Sequence, residues 1–213
     1  MRLTIAETEL IITPEENYIQ INDTPEPALR AAWPQIVRDY PGHEINFCYH
    51  NNRPPVGFMT EIGAEILDDS LEMRLPRGDA VFIPSPDILP VTEADFDIFA
   101  PFHDLRSPDM YWTSRRIKQD LSRWVLFMSQ AEGQINGYVM TAMWDPKQAE
   151  FYAVEAPDLA TGKALAVTAA AHAFEAGKPE ILFMTDEGSL EKEIALALGF
   201  EIRGYYISYR IVL

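Results

Sequence analysis

The sequence predicts a mixed α/β protein with a central sheet flanked by helices, and two features of the 213-residue chain predict it. The first is residues 148–211, which read as strand, short loop, helix, strand, second helix and closing strands. The second is a partial copy of that order near the N-terminus. Together they predict a complete unit at residues 79–213, preceded by a partial unit of the same fold at residues 1–78.

The partial copy is found by shifting the chain 136 residues, which places residues 28–75 on residues 164–211 without a gap. The shared positions are Ala28-Leu29 with Ala164-Leu165, Glu44-Ile45-x-Phe47 with Glu180-Ile181-x-Phe183, Gly63-x-Glu65-Ile66 with Gly199-x-Glu201-Ile202, and Arg74 with Arg210. The predicted elements also correspond: helices at 27–40 and 53–62, and strands at 18–22, 44–49, 64–67 and 70–75. This correspondence predicts a tandem repeat.

The segment before residue 148 supplies the first elements of the complete unit. Thr92 is expected as the N-cap of a helix, because acidic residues follow it and Phe96, Phe99 and Phe102 recur at apolar positions. The expected elements are strands at 80–83 and 88–91, a helix entered at Thr92, a second helix at 113–123, and strands at 124–129 and 137–144.

The region that organises the chain continues from there. Residues 148–155 form a strand pattern rich in aromatic and β-branched residues, and Pro157 ends it. The expected elements after it are a loop at 158–163, an alanine-rich helix at 164–176, a buried strand at 180–185, a helix at 189–198 ended by Gly199, and strands at 200–203 and 205–211.

Composition excludes several classes of protein. A net charge of −16 argues against nucleic-acid binding and favours cationic small molecules, although solubility alone would also explain it. No apolar run approaches the ~18 to 20 residues that a membrane span requires. The single cysteine, Cys48, cannot form an intramolecular disulfide, so a cytoplasmic location is expected. The histidines lack metal-ligand spacing, so no metal site is predicted.

The run from Val154 through Gly162-Lys163-Ala164-Leu165-Ala166 to Leu198-Gly199-Phe200 resembles the CoA-binding half of a GNAT-type N-acetyltransferase. That resemblance implies the GNAT fold, with a central mixed, mostly antiparallel sheet, over roughly residues 79–213. The family signature falls on Thr161, Ala164 and Ala166, where Thr161 replaces the usual Arg or Gln and Ala164 replaces the central Gly.

The resemblance also implies acetyl-CoA as the cosubstrate. Backbone N–H groups at a helix start can hold a pyrophosphate where small residues let it approach. The residues implied to bind CoA are Ala153, Val154, Leu159, Thr161, Gly162, Lys163, Ala164, Leu165 and Ala166. In the front unit, Glu26 and Pro27 take the places of Gly162 and Lys163, so that unit is expected to bind no CoA.

The candidate general bases lie on the strand before this loop, where the family places the thioester carbonyl. Glu150 lies close to where some family members keep a glutamate base, and Glu155 is the second acid on the strand. Because the two are five residues apart, a regular strand places them on opposite faces, so at most one would point into the cleft. Either could instead be a solvated carboxylate.

The general acid departs from the family pattern, because Ala195 stands where many members have a tyrosine. Tyr205, Tyr206 or Tyr209 could replace it, with Tyr205 the candidate that we name. On the acceptor side the candidates are residues 102–104 and 107–112, where His103 could titrate and Asp109 with Tyr111 and Trp112 could grip a cation. A surface histidine and a capped turn are the alternative interpretations.

The sequence therefore predicts an N-acetyltransferase that moves an acetyl group from acetyl-CoA to an amine of a small molecule or peptide, by direct attack on the thioester. The alternative is a catalytically inactive binding or assembly module of the same fold, which the departures at Thr161, Ala164 and Ala195 favour. A third hypothesis is a catalytic domain whose front unit forms a homodimer interface.

Overall fold

Two strands of 12 residues each, β5 (Glu65–Pro76) and β11 (Glu201–Val212), contain the points at which the chain divides into two units. The computed structural model describes residues 1–108 and 110–213. The first unit comprises Met1–Leu71 and Gly204–Leu213, and the second comprises Glu72–Arg203. The first unit therefore includes a strand segment, within Gly204–Leu213, that is distant in sequence from its other residues, whereas the second unit is one continuous stretch.

The first unit is a sheet in the order β1-β2-β3-β4-β11. Its other elements are β1 (Arg2–Ile5), β2 (Thr8–Thr13), β3 (Tyr18–Asn22), α1 (Glu26–Asp39), β4 (Glu44–His50) and α2 (Val56–Ile62). Strand β3 runs parallel to β4, whereas β1–β2, β2–β3 and β4–β11 are antiparallel. The core lies on one face, where Leu29, Ala32 and Ile36 of α1 belong to the same buried cluster as Ile45 and Phe47 of β4.

The second unit is a sheet in the order β5-β10-β9-β8-β7-β6, flanked by helices. Its elements are β6 (Ile88–Pro90), α3 (Phe96–Arg106), α4 (Ser114–Gln119), β7 (Trp124–Ala131), β8 (Gln134–Ala142), β9 (Ala149–Glu155), α5 (Leu159–Glu175), β10 (Glu180–Thr185) and α6 (Leu190–Leu198). The pairs β6–β7, β7–β8 and β8–β9 are antiparallel, and β9–β10 is parallel. The predicted mixed, mostly antiparallel sheet is confirmed.

Most predicted elements of the second unit are present, and three of those before β7 differ. Residues 80–83 form no strand, because Pro84 and Pro86 follow closely and Val81 is 84% exposed. The first helix begins at Phe96, and Asp95 rather than Thr92 precedes it, with both polar groups of Thr92 donating to the Asp95 carboxylate. The second helix ends at Gln119 and continues as a 3-10 turn at Leu121–Arg123.

The shift of 136 residues places several observed elements on one another. Strand β5, at 65–76, falls on 201–212, which are the bounds of β11. Helix α2 ends at Ile62 as α6 ends at Leu198, and each helix is followed by a glycine in the left-handed conformation, Gly63 at φ 75° and Gly199 at φ 90°. A residue with a Cβ would be strained at both positions.

The predicted division into a partial copy at 1–78 and a complete copy at 79–213 stays a prediction. The two compact units do not test whether these segments are copies of one fold. What the structure adds is that residues 72–76 belong to the second unit, where Met73 is fully buried and its sulfur accepts a hydrogen bond from the Thr185 hydroxyl at 3.3 Å. Among the described residues, no helix is long and apolar enough to cross a membrane.

The burial of Met73 in the second unit can be tested by truncation. We expect Met73→Ala to lower the free energy of unfolding by roughly 2–5 kcal/mol, because it leaves a cavity in a fully buried site. Urea titration followed by tryptophan fluorescence measures this, since three of the four tryptophans lie in residues 72–203. Ile98→Ala, at a site that is 62% exposed, should change stability by less than about 0.5 kcal/mol. Equal effects of the two substitutions would contradict this packing.

Candidate functional site

Strand β9 carries a β-bulge that decides which way its acidic residues point. Opposite β8, Glu150 pairs with Ala142 and Phe151 with Thr141, but the next pair joins Ala153 to Met140. Tyr152 is therefore an extra residue without its own partner on β8. After the bulge, the pairing continues to Glu155, opposite Tyr138.

The bulge places Glu150 and Glu155 on the same face of the sheet, so the predicted opposite placement is wrong. Their partners on β8, Ala142 and Tyr138, are four residues apart in a regular strand and share a face. The physical reason is that one extra residue shifts the alternation of side chains by one position. Both carboxylates therefore lie on the face that carries the buried cluster of α3, α4, β7 and β8.

Strands β9 and β10 part after a short ladder. Their pairing joins Ala149, Glu150 and Phe151 to Ile181, Leu182 and Phe183, and within the described part of both strands it extends no further. The later edge of β9, which includes Ala153 and Val154, is therefore left without β10 as a hydrogen-bonding partner. Backbone N–H groups on such an edge can bind an oxyanion.

Glu150 has the ionisation behaviour expected of a general base. Its side chain is largely buried, and loss of hydration raises its pKa to about 7 from an ordinary value of 4.5. The positive charge of Arg74 opposes this shift, and the negative charge of Asp145 adds to it. A carboxylate with a pKa near neutrality can take and release a proton at physiological pH.

Four aromatic rings pack beside Glu150. Trp112, Trp124, Trp144 and Tyr152 form mutual contacts with ring centroids between 4.9 and 6.3 Å apart. Burial raises the pKa of Tyr152, the negative charge of Glu150 adds to that effect, and a hydrogen bond from Trp112 opposes it. Trp124 belongs to the buried cluster of α3, α4, β7 and β8, and the other three rings pack against it, so the four form an aromatic wall on the face that carries Glu150.

The second acid, Glu155, occupies a different environment. Burial raises its pKa, the nearby negative charge of Glu191 adds to that effect, and Arg106 opposes it. Its position opposite Tyr138 places it near the other end of β9 from Glu150. The two acids thus share a face of the strand but respond to separate charged neighbours.

His103, predicted as a titrating or surface residue, is instead completely buried in α3. Its Nε2 lies 2.8 Å from the Trp112 carbonyl oxygen, which can only accept, so Nε2 carries the proton. Its Nδ1 then accepts from the Tyr138 hydroxyl at 2.9 Å, and that hydroxyl accepts from Ser107 at 2.9 Å. His103 fixes the Trp112 backbone and so positions the aromatic cluster, which corrects the alternative of a surface histidine.

The rest of the acceptor-side loop is fixed at its far end. Asp104 accepts hydrogen bonds from the Ser114 backbone N–H at 2.9 Å and the Ser114 hydroxyl at 2.6 Å, at the start of α4. Arg116 stacks on the Tyr111 ring, with its guanidinium carbon 4.0 Å from the ring centroid. Asp109, predicted to help bind a cation, lies outside the described residues.

The predicted phosphate-binding loop at 158–163 is largely helical, because α5 begins at Leu159. Asp158 is the N-cap, and its carboxylate accepts the Thr161 backbone N–H at 2.8 Å. Hydrogen bonds from Thr161 hold the pKa of Asp158 below its ordinary value, so this carboxylate is ionised at neutral pH. A negative charge and a used donor therefore stand at the helix end proposed for a pyrophosphate.

Gly162 is small for a reason other than ligand approach. A Cβ at this position would overlap Ile194 Cδ1 and would lie 3.3 Å from Ala156 Cβ, and Ile194 is fully buried in α6. Gly162 therefore permits α5 to pack closely on α6. The idea that it lets a pyrophosphate come close is not supported by this geometry.

A pocket of about 280 Å³ lies on another side of the α5 N-terminus. Ala160, Thr161 and Ala164 line it from the helix, facing Ser85, Asp87, Ile88, Ser129, Gln130 and Asn136. Two of the predicted CoA residues, Thr161 and Ala164, therefore reach a cavity. Of the others on α5, Lys163 is exposed, whereas Leu165 and Ala166 are buried in the core.

The predicted acid, Tyr205, belongs to the first unit. There its backbone pairs in both directions with Asn51: the Tyr205 N–H donates to Asn51 Oδ1 at 3.0 Å, and its carbonyl accepts from the Asn51 N–H at 2.9 Å. Tyr206 donates to the buried Cys48 sulfur at 3.1 Å, and Tyr209 is buried in the core of that unit. The role of Tyr205 stays a prediction. Within residues 1–108 and 110–213, no group of three potential ligands is arranged to hold a metal ion.

Sequence reasoning missed three features of the site. The bulge at Tyr152 and the closeness of the Arg74 charge to Glu150 both result from how the strands are arranged in the sheet, which no local sequence pattern reveals. The Asp158 cap was visible in principle, because an Asp shortly before an alanine-rich run is a helix-start signal.

The close contact at Gly162 predicts a packing defect on substitution. We expect Gly162→Ala to lower the free energy of unfolding by roughly 1–3 kcal/mol, because the added methyl overlaps Ile194. Adding Ile194→Val removes Cδ1 and should recover part of that loss in a double-mutant cycle measured by urea titration. Gly57→Ala is the control, since a Cβ there meets nothing within 4 Å. Strict additivity of the two changes would contradict the contact.

No family model and no curated protein matches the sequence. Among solved structures, the chain is similar to a GCN5-related N-acetyltransferase from Kribbella flavida, with a TM-score of 0.70 and 12% identity over 99% of this chain and 88% of that chain. It is also similar to a tandem GNAT protein from the clavulanic acid biosynthesis pathway, with a TM-score of 0.59 and 14% identity over 96% of this chain and 78% of that chain. A third similar structure is Saccharomyces cerevisiae N-myristoyltransferase, with a TM-score of 0.58 and 11% identity over 92% of this chain and 60% of that chain. At these identities the likeness concerns the fold, and the chain has the GNAT fold that its sequence predicts.

Proposed function

We propose that the protein is an acyltransferase that moves an acetyl group from acetyl-CoA to an amine, with Glu150 as the general base. The observation that carries this proposal is a largely buried carboxylate with a pKa of about 7, located on the strand whose later edge is free of β10. Proton removal from an ammonium and stabilisation of an oxyanion are the two tasks of acyl transfer to an amine. This strand offers a group for each.

In the proposed reaction, Glu150 accepts a proton from the ammonium, directly or through one water, so that the amine nitrogen can attack the thioester carbonyl. The backbone N–H groups near Ala153–Ala156 donate to the oxyanion that forms; when that intermediate collapses, the C–S bond breaks, the nitrogen releases its second proton to solvent, and the amide and the CoA thiolate remain. Ala195 has no proton to offer the thiolate. Tyr205 stays our candidate for that step.

The acceptor is an amine, and the surroundings of Glu150 favour its cationic form. The carboxylates of Glu150 and Asp145 supply local negative charge, and the whole chain carries a net charge of −16. The aromatic wall of Trp112, Trp144 and Tyr152 offers apolar and π-electron surface to the body of the substrate. Small-molecule and peptide amines both satisfy these requirements.

At the CoA end of the site, the pocket favours binding of the ligand and the Asp158 carboxylate opposes it. The pocket beside Ala160, Thr161 and Ala164 has room and hydroxyl and amide groups for part of the cosubstrate, and it also presents the Asp87 carboxylate. The Asp158 carboxylate opposes the pyrophosphate at the helix start, because it is ionised and already accepts the Thr161 N–H. We infer weak CoA binding, to which the helix end contributes less than its small residues suggest.

The same Asp158 observation favours a second candidate, a binding or assembly module that keeps the fold without catalysis. An N-cap carboxylate stabilises α5 by itself, so this helix end needs no anionic ligand. The alanine at position 195, where many GNAT enzymes have a tyrosine, is consistent with this candidate. Calorimetric titration of the intact protein with acetyl-CoA separates the two, because the module is expected to bind none at millimolar ligand.

We also propose that the chain is a tandem repeat of the fold, with a partial copy at residues 1–78 and a complete copy at 79–213. The coincidence of the bounds of β5 and β11 under the 136-residue shift supports this. Similarity in fold to a protein described as a tandem GNAT protein is consistent with it. Glu26, at the position of Gly162, supports a CoA site in the second copy alone.

Removing the charge of Asp158 should strengthen CoA binding. Asn still caps the helix, so Asp158→Asn removes the repulsion and is expected to raise CoA affinity by about threefold to tenfold. Isothermal titration calorimetry with CoA at low salt measures it. Glu175→Gln is the control, because it removes the same charge from the other end of α5. If Asp158→Asn binds CoA no more tightly than Glu175→Gln, Asp158 does not oppose the ligand.

Glu150 as the base predicts a pH profile. Only the ionised carboxylate accepts a proton, so kcat/KM for acetyl transfer to a panel of amines should rise with pH through about 7. Glu150→Gln should remove this limb and lower kcat/KM roughly 100-fold to 10,000-fold. The comparison variant is Glu155→Gln, and a loss of the limb in that variant instead would assign the base to Glu155.

The stability of Glu150→Gln gives a check that needs no activity. Because the folded pKa of Glu150 lies above its ordinary value of 4.5, ionisation opposes folding, and the opposition grows as the pH rises from about 4.5 to about 7. The variant should therefore be more stable than the parent at pH 8, and this advantage should vanish below pH 4.5.

A further inference from the structure

Arg74 lies in the end of β5 that belongs to the second unit, and it contacts both neighbouring strands of the candidate site. Its Nη1 donates to Glu180 Oε1 of β10 at 2.5 Å and to Gln148 Oε1, just before β9, at 3.2 Å. Its Nε donates to Glu72 Oε1 at 2.7 Å. The side chain is 28% exposed, so solvent screens these ion pairs only partly.

These contacts hold the segment that carries Glu150. Gln148 is two residues before Glu150, and Glu180 directly precedes Ile181, which begins the short ladder with β9 at Ala149. Arg74 thus joins the starts of β9 and β10 at the place where the two strands are still paired. Glu150 follows immediately, one residue before the ladder ends at Phe151.

The charge of Arg74 also acts on Glu150. Among the described residues, the titratable groups that interact with that carboxylate include Arg74 from β5, Asp145 from the loop before β9, and Tyr152 from β9 itself. Arg74 favours the ionised carboxylate, whereas Asp145 and burial disfavour it. Arg74 is the positive member of this group, and its own neighbours Glu72 and Glu180 reduce its effect.

We propose that Arg74 is a positioning residue for Glu150, contributed to the candidate active site by a strand from outside the predicted acetyltransferase domain of residues 79–213. Its hydrogen bond to Gln148 and its ion pair with Glu180 tie the start of β9 to the start of β10, and its charge favours the ionised form of the carboxylate. This inference rests on the proposed function only for its meaning in catalysis, since the effect on Glu150 exists without substrate.

The repeat provides a matched control. Arg210 occupies the position that corresponds to Arg74 under the 136-residue shift. It lies in β11 of the first unit, opposite Asn46 of β4, and is exposed. The same substitution at Arg210 removes an arginine of the same strand position in the other unit.

The test measures the titration of Glu150 by NMR in the full-length protein labelled with ¹³C-carboxyl glutamate, with the resonance assigned by its loss in Glu150→Gln. The parent should titrate at about 7. We expect Arg74→Met to raise the midpoint by roughly half a unit to one unit, and Arg74→Lys and Arg210→Met to leave it near the parent value. Equal midpoints in Arg74→Met and Arg210→Met would overturn the proposal.

A second variant, expected to shift the titration midpoint of Glu150 in the opposite direction, covers the case in which Arg74→Met does not fold. The Glu72 side chain is 8% exposed and is a negative partner of Arg74. Glu72→Gln removes that negative charge and should lower the titration midpoint of Glu150. A midpoint that stays or rises in Glu72→Gln would count against Arg74. If acetyl transfer is measurable, the acid limb of kcat/KM should move with each NMR midpoint. Absence of turnover in every variant would instead count against the proposed function, and the NMR result would still decide the role of Arg74.

Discussion

The arrangement of the candidate site depends on one extra residue in a strand. Without the bulge at Tyr152, the regular alternation of β9 would send Glu150 and Glu155 to opposite faces. With it, both carboxylates lie over the cluster of α3, α4, β7 and β8, where loss of hydration raises their pKa values. A local irregularity of the backbone thus determines the electrostatics of the whole face.

The order of elements was predictable because each element has a local cause. The alternation of β7 and β8, the alanine-rich α5 and the glycines that end α2 and α6 are all visible within a few neighbouring residues. Element starts were less predictable where side chains compete for the same backbone donors. Asp95 precedes the helix that Thr92 was expected to begin, and Asp158 starts α5 inside a predicted loop.

The chemistry of the site was predictable in part. Glu150 could be named from its place before the loop, but its pKa depends on Arg74, which is 76 residues away in sequence. The buried role of His103 depends on Tyr138 and Trp112, which no spacing rule connects. Gly162 shows the reverse error, because the same small residue that a phosphate loop requires is also what close helix packing requires. Sequence identifies the residue type there, and only the contact decides between the two causes.

Most of β11 belongs to the first unit, and this affects how the chain folds while it is being synthesised. Residues 204–213 belong to the first unit, where β11 pairs with β4 from Tyr206 opposite His50 to Val212 opposite Glu44. When a ribosome has synthesised residues 1–71, the sheet of the first unit still lacks β11, which can pair with β4 only after residues 204–213 have been made. Until then β4 presents unpaired backbone groups along a strand whose residues are mostly buried in the finished protein. The first unit therefore completes its sheet only after the second unit has been synthesised, and loss of residues 204–213 should destabilise the first unit before the second.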